Sequence, residues 1–215
     1  MVPTVSYEAF QAYMSCPLQY HYRYELALTA EQEIDVSIRA RWAIMDMLLA
    51  VARDGTDPDT AFQAAWALRG LPDRAEDPGL MDDAIAAAKR GLVVVNSVGD
   101  VVEEGMVSEV NGVRIELPWM LVDKGQLHWI RAQTWIQYTL SHLRPMMLDI
   151  NGSRRPSAKI YSIITEQHVM DGPSRQIAST SVYKMAQRFA AGDRSASRGR
   201  HCGRCAYVSI CANIP

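Results

Sequence analysis

Residues 200–215 read RHCGRCAYVSICANIP and hold three of the chain's four cysteines, Cys202, Cys205 and Cys211. The fourth, Cys16, sits near the other end in YMSCPLQYHYRY, residues 13–24. Cys-x2-Cys-x5-Cys is a compact array whose neighbouring thiolates can grip one metal or adjacent irons, and a fourth ligand completes the set. Cys16 is the one thiol left to supply it. Four thiolates suit either a tetrahedral zinc or an iron–sulfur cluster, and spacing alone does not choose between them. Two plainer readings stay open: a zinc knuckle completed by His201 instead of Cys16, and four unligated thiols. Clustered cysteines in a reducing compartment favour metal over disulfides. If Cys16 is the fourth ligand, the metal staples the two termini together.

Working inward from the ends, the pattern is helical first. Ser6 is a candidate N-cap for a helix carrying Phe10, Tyr13 and Met14 on one face, and Pro17 suits the first turn of a second short helix rich in tyrosine. From Asp35 to Arg53 a strong helix is expected, with Ile38, Trp42, Met45 and Leu49 as its core-facing stripe. Asp57 and Pro58 open a helix that ends at Gly70, and LMDDAIAAAKRGLVVV gives another, ending between Gly91 and Asn96. Residues 101–133 then hold three β-prone runs, with Asn111-Gly112 and Lys124-Gly125 as hairpin turns. Pro118 marks an edge, a bulge or a strand end. TWIQYTLSHLRPMML predicts a helix up to Arg144, SAKIYSIITEQHV a strand, and 174–191 a last helix closed by Gly192. The expected architecture is a mixed α/β (α+β) domain over 1–215 with a small central sheet. Residues 1–99 are mainly helical, 100–192 form the sheet-and-helix core, and 193–215 form a basic linker with the cysteine knuckle.

The chain has 215 residues, 48% hydrophobic and 21% charged, with a net charge of −2. Nothing global marks it for nucleic acid, but Lys184, Arg188, Arg194, Arg198, Arg200 and Arg204 face a single acid, Asp193, across one strip. Such a strip is a phosphate-facing surface or a solvated linker. No stretch reads as a membrane span or a secretory signal, so a cytoplasmic location is expected, or a virion if the source is viral. No phosphate loop, nucleophile elbow or GxGxxG occurs, and His21, His128, His142 and His168 lack ligand spacing to one another.

Both ends together resemble RecB-like PD-(D/E)xK nucleases that carry an iron–sulfur cluster, such as the AddB nuclease domain and the exonucleases of CRISPR adaptation. The resemblance rests on Ser6, Tyr13, Cys16, Pro17, Tyr20, Tyr22 and Arg23 at one end. At the other it rests on Cys202, Cys205, Tyr207, Ile210 and Cys211. It implies a restriction-endonuclease-like core and a [4Fe–4S] cluster on the four cysteines that clamps the termini across it.

Nucleases of this superfamily hold Mg²⁺ or Mn²⁺ on carboxylates of two adjacent strands, with a lysine beside the attacking water. Hard cations take oxygen ligands, and the ion offsets charge building on phosphate. The family pattern is roughly GxAxH on an early helix, G-x-I-D on one strand and D/E-x-K on the next. IRARW at 38–42 places Trp42 at the histidine. PWML at 118–121 places Met120 at the aspartate, and LHWIRAQT places Arg131 at the acid and Gln133 at the lysine, with Thr134 matching a threonine common after it. Other registers would call on Asp123, Glu116 or the pair Glu103 and Glu104, yet no D/E-x-K falls on any candidate strand: Asp123-Lys124 is adjacent, and Glu166-Gln167-His168 lacks the lysine. The expectation is a scaffold whose catalytic positions are degenerate and filled with apolar bulk.

The resulting functional expectation is a DNA-binding or structural subunit of a nucleic-acid-processing or larger assembly. Arg154, Arg155 and Lys159, with Arg198, Arg200 and Arg204, are the candidate phosphate contacts. The alternatives are an active metal-dependent DNA exonuclease, and a purely structural component of a larger particle. Near-neutral charge and five tryptophans suit a protein partner such as a nuclease, a helicase or a larger assembly.

Overall fold

Ser6 ends a short strand, β1 (Thr4–Ser6), and caps the first helix, α1 (Tyr7–Ser15), its hydroxyl accepting from the Ala9 amide at 3.2 Å. The computed structural model describes residues 2–28, 35–98, 102–132, 158–165, 168–170, 179–199, 202–203 and 205–211. Cys16 is extended, at φ −159°, and separates α1 from α2 (Pro17–Tyr20), with Pro17 in the first turn as expected; a π-helical turn, His21–Glu25, follows. Asp35 caps α3 (Val36–Asp54) by accepting from Ser37 at 2.7 Å, and Gly55 closes it at φ 63°. Asp57 caps α4 (Pro58–Leu68) by accepting from Thr60 at 3.0 Å, and α5 (Pro78–Val98) completes a helical layer. The remaining elements are β2 (Val102–Glu103), β3 (Val107–Val110), β4 (Val113–Glu116), β5 (Met120–Asp123), β6 (Gln126–Arg131), β7 (Ala158–Ser162), β8 (His168–Met170) and α6 (Ser179–Ala190).

The fold is mixed α+β. Its strands form two sheets: a three-stranded one in order β1-β4-β3, with β1 parallel to β4, and a five-stranded one in order β2-β5-β6-β7-β8. The single central sheet expected from sequence is therefore corrected to two. The run 113–123 divides at Leu117-Pro118-Trp119, between β4 in one sheet and β5 in the other. Pro118 stands at that break because a residue without an N–H cannot continue a ladder. The strand expected across SAKIYSIITEQHV likewise divides into antiparallel β7 and β8. Both hairpin turns are where the sequence puts them, with φ 46° and 75° at Asn111-Gly112 and 47° and 81° at Lys124-Gly125. β6 and β7 are parallel, which calls for a crossover connection, and the helix expected between them, from Thr134 up to Arg144, lies outside the described residues.

β6 is the central strand, and Leu127, His128, Trp129 and Ile130 are all buried. Such a run arises when both faces of a sheet are covered. On one face Met120, Leu127, Trp129 and Ile160 pack with Tyr7, Phe10 and Tyr13 of α1 and Val182 and Phe189 of α6. On the other, Leu121, Ile130 and Ala132 pack with α3, α4 and α5.

Two helix expectations are corrected. The buried face of α3 is Ala40, Ala43, Ile44, Met47 and Leu48, whereas Ile38 and Trp42 are 41% and 37% exposed. Small alanines let α5 come close to α3, and that contact turns the larger stripe outward. α5 also runs through Gly91 to Val98 instead of stopping between Gly91 and Asn96, because Gly91 is where Leu48 of α3 packs. A Cβ added at Gly91 would clash with Leu48 Cδ1 and lie 2.8 Å from its Cδ2. Gly91→Ala is therefore expected to destabilise by roughly 1–2 kcal/mol: overpacking costs about 1–3 kcal/mol, against up to about 1 kcal/mol regained in helix propensity. Urea unfolding checks it; a more stable variant would show that Leu48 has room to move.

Candidate metal centre

The extended backbone at Cys16 carries its thiol away from the axes of α1 and α2 towards the C-terminal segment. Cys16, Cys202, Cys205 and Cys211 line a single cavity, together with Tyr22, Ser197 and Arg198. Tight turns shape the C-terminal side: the Cys205 amide donates to the Cys202 carbonyl at 3.2 Å, Val208 to Cys205 at 3.2 Å and Cys211 to Val208 at 3.3 Å. Two backbone amides point at sulfur, Ser197 N to Cys16 Sγ and Gly199 N to Cys202 Sγ, each at 3.4 Å. All four cysteines are free of disulfides. Among the described residues, no three His, Cys, Asp or Glu side chains are arranged to hold a single metal ion. His201, the alternative zinc ligand, lies outside the described residues.

A second latch joins the same termini without metal, and the sequence reading missed it. Arg194, assigned from sequence to the basic strip, sits over the rings of Phe189, Tyr20 and Tyr13 at 5.3, 5.4 and 5.7 Å. Its Nε donates to Glu25 Oε2 at 2.8 Å, and its Nη2 also pairs with Glu25. The Tyr13 hydroxyl donates to the Asp193 carbonyl at 2.9 Å, and that of Tyr207 to the Leu28 carbonyl at 3.0 Å. Arg188 is engaged too, by Asp193 at 2.7 Å. The linker is thus bonded to the protein over 193–199, and two of the strip's arginines are already occupied. Arg194 could have been found only by asking what a cation would do beside a tyrosine-rich helix.

The electrostatics follow. Hydrogen bonds from Arg194 hold the Glu25 carboxyl below its ordinary value, and the Ser195 amide and hydroxyl, with Arg188, hold Asp193 at about 2. Both pKa values are depressed, so the latch contributes its full stability above the ordinary carboxylate range near pH ~4. It loses that stability as pH falls towards about 2. Arg194→Ala should cost about 2 kcal/mol, from a cation–π site screened from water plus one ion pair. That corresponds to a fall of about 4–8 °C in Tm at this chain length. Thermal unfolding at neutral pH and near pH 3 checks both statements; an unchanged Tm at neutral pH would mean the latch is decorative.

The positions that the resemblance implies as catalytic separate. Met120 is fully buried in the core, as expected. Trp42 is not core: it lies at the rim of a cavity of about 570 Å³ between α3 and the ends of β5 and β6, with Arg69 stacked at 5.5 Å. The expectation that this pocket is filled with apolar bulk is corrected. Arg131 lines the same cavity, 4.2 Å from the Trp129 ring. Gln133 lies outside the described residues, as do Arg154, Arg155, Arg200 and Arg204. Of the other phosphate-contact candidates, Lys159 on β7 sits over the Tyr161 ring at 4.9 Å, and Arg198 is exposed at the mouth of the cysteine cavity.

No family model matches the chain, and no curated protein does. Among solved structures, the crystal structure of a protein called SSO0001 superposes with a TM-score of 0.45 at 11% identity, over 99% of this chain and 87% of that one. A likeness at that level carries no argument about this chain. Among the described residues, no helix is long and apolar enough to cross a membrane.

Proposed function

We propose that the protein is a catalytically degenerate, iron–sulfur nuclease-like scaffold that serves as a DNA-binding or structural subunit of a larger assembly. The observation that carries the reading is the convergence of Cys16 with Cys202, Cys205 and Cys211 on one cavity, from opposite ends of the chain. The four thiolates would hold a [4Fe–4S] cluster, which when bound supplies a rigid cross-link between the termini. A single tetrahedral zinc draws its thiolates to within roughly 3.8 Å of one another, given Zn–S bonds of about 2.3 Å. A cubane seats each thiolate on its own iron and leaves them wider apart. Four cysteines on one cavity suit a cluster or zinc alike, and the resemblance to cluster-bearing nucleases is what favours the cluster.

Degeneracy is supported by chemistry at two positions. Met120 occupies the apolar core where the family resemblance implies an aspartate, and Arg131 brings a cation where a carboxylate would bind one. Like charge repels a metal ion there. The test is metal content and visible absorption of anaerobically purified protein, followed by incubation with linear DNA and Mn²⁺. About four irons per chain with broad visible absorption, and no cleavage, are expected. Zinc at one per chain overturns the cluster, and cleavage that chelator abolishes overturns the degeneracy.

A further inference from the structure

The cavity of about 570 Å³ beside α3 is within the range that encloses a small organic ligand. Its described lining is unusual for a chain of net charge −2: Arg23, Arg41 and Arg131 against the single acid Glu8, or 3 − 1 = +2. None of the three arginines has an ion-pair partner among the described residues. Glu8 acts on Arg131 across space without pairing to it, and burial pushes the Arg131 guanidinium pKa down. A guanidinium held partly out of water, with its face on Trp129 and no ion pair among the described residues, favours an anion. Flat apolar surface stands next to it: Trp42 is exposed at the rim and Trp119 is half-buried in the wall.

We infer that this cavity is a metal-independent site for a nucleotidyl group, with its phosphate on Arg131 and Arg41 and its base stacked on Trp42 or Trp119. Guanidinium forks match phosphate oxygens, and indole faces accept any base. The guanidinium groups then do for the phosphate what bound cations would do in a nuclease: they neutralise it, but provide no activated water. Binding without hydrolysis is the consequence. The inference rests on the nucleic-acid side of the proposed function for its choice of a nucleotide over another planar anion. A free mononucleotide and the phosphorylated end of a single strand present the same chemistry.

The test is calorimetric titration of the full-length protein, with chelator removing free divalent ions, using thymidine 5′-monophosphate and a short 5′-phosphorylated oligothymidylate. One-to-one binding of at least one of them is expected. Arg41→Gln should weaken it about tenfold, the loss of one charge-assisted contact of about 1.4 kcal/mol. Trp42→Ala should weaken it about 5- to 160-fold, the range for one lost stacking partner. Both side chains are at least partly exposed, so these variants decide the matter even if Arg131→Gln fails to fold. Where Arg131→Gln does fold, a loss of tenfold or more is expected. Mononucleotide binding as tight as the oligomer's assigns the site to free nucleotides, and oligomer binding alone assigns it to strand ends. No binding of either, binding only after Mn²⁺ is restored, or wild-type affinity in both variants overturns the inference. Retained DNA binding with wild-type affinity in both variants overturns the cavity alone. Mononucleotide binding weakened by both substitutions, in a protein that retains no DNA, leaves the cavity standing and overturns the DNA-binding reading.

Discussion

Cys16→Ala is expected to lower iron content from about four per chain to a residue of loosely held metal and to loosen both ends of the protein. Binding at a structural metal site is folding free energy, of the order of 10 kcal/mol for zinc modules. Much of that is lost when one of four ligands is missing, so a fall in Tm of about 10 °C or more is expected at this chain length. The damage should be local in character. The aromatic latch formed by Arg194, Tyr13, Tyr20 and Phe189 does not use the thiols, so the segment near 193 should stay docked. Limited proteolysis should instead cut beyond it, in the turns around Cys202, Cys205 and Cys211, which then hold to the N-terminal part through Tyr207 on Leu28 and Tyr22 on Ile210. Full iron occupancy with wild-type Tm in Cys16→Ala would remove Cys16 from the ligand set and return His201 to consideration.

The second large effect concerns Met120, the position at which the family resemblance implies a metal-binding aspartate. Met120→Asp is expected to cost about 4–5 kcal/mol, the upper range for single substitutions, because it buries an unpaired carboxylate. Met120 is fully buried in a cluster with Tyr7, Leu127 and Trp129, none of which can supply a compensating positive charge. Tm should fall by roughly 8–20 °C, with no gain in Mn²⁺ binding. A variant that keeps its stability and binds Mn²⁺ would show that Met120 borders a usable metal site. Trp42→His makes the contrast: at an exposed position, introducing the histidine that the resemblance implies should leave stability within about 1 kcal/mol. Of the two positions, only Met120 is closed off in the core.

Much of the local structure was legible in the residues. Ser6 and Asp57 cap the helices they were expected to cap, and both hairpin turns hold left-handed backbone, which favours Gly and Asn and which Lys124 adopts as well. These signals work within four or five residues, so nothing remote can override them cheaply. The face that α3 buries was misread. Ile38, Trp42, Met45 and Leu49 and the true face Ala40, Ala43, Ile44, Met47 and Leu48 both recur at helical spacing. The choice between them lay in α5 and in Gly91, far along the chain. The break of 113–123 into strands of two sheets was half legible, since Pro118 marks the end of a ladder but not where the next one begins.

The sequence by itself determined four cysteines at two ends of the chain, the caps at Ser6 and Asp57 and the two hairpin turns. Each depends only on which residues are present and on their nearest neighbours. Only the tertiary structure decided what those residues meet. It brought Cys16 to the C-terminal knuckle, turned Arg194 from a linker charge into a latch, sank Met120 into the core, and left Arg131 beside an open cavity. The reason is physical: burial, charge pairing and cavity shape are properties of surfaces that come together, and those surfaces belong to elements far apart in the chain.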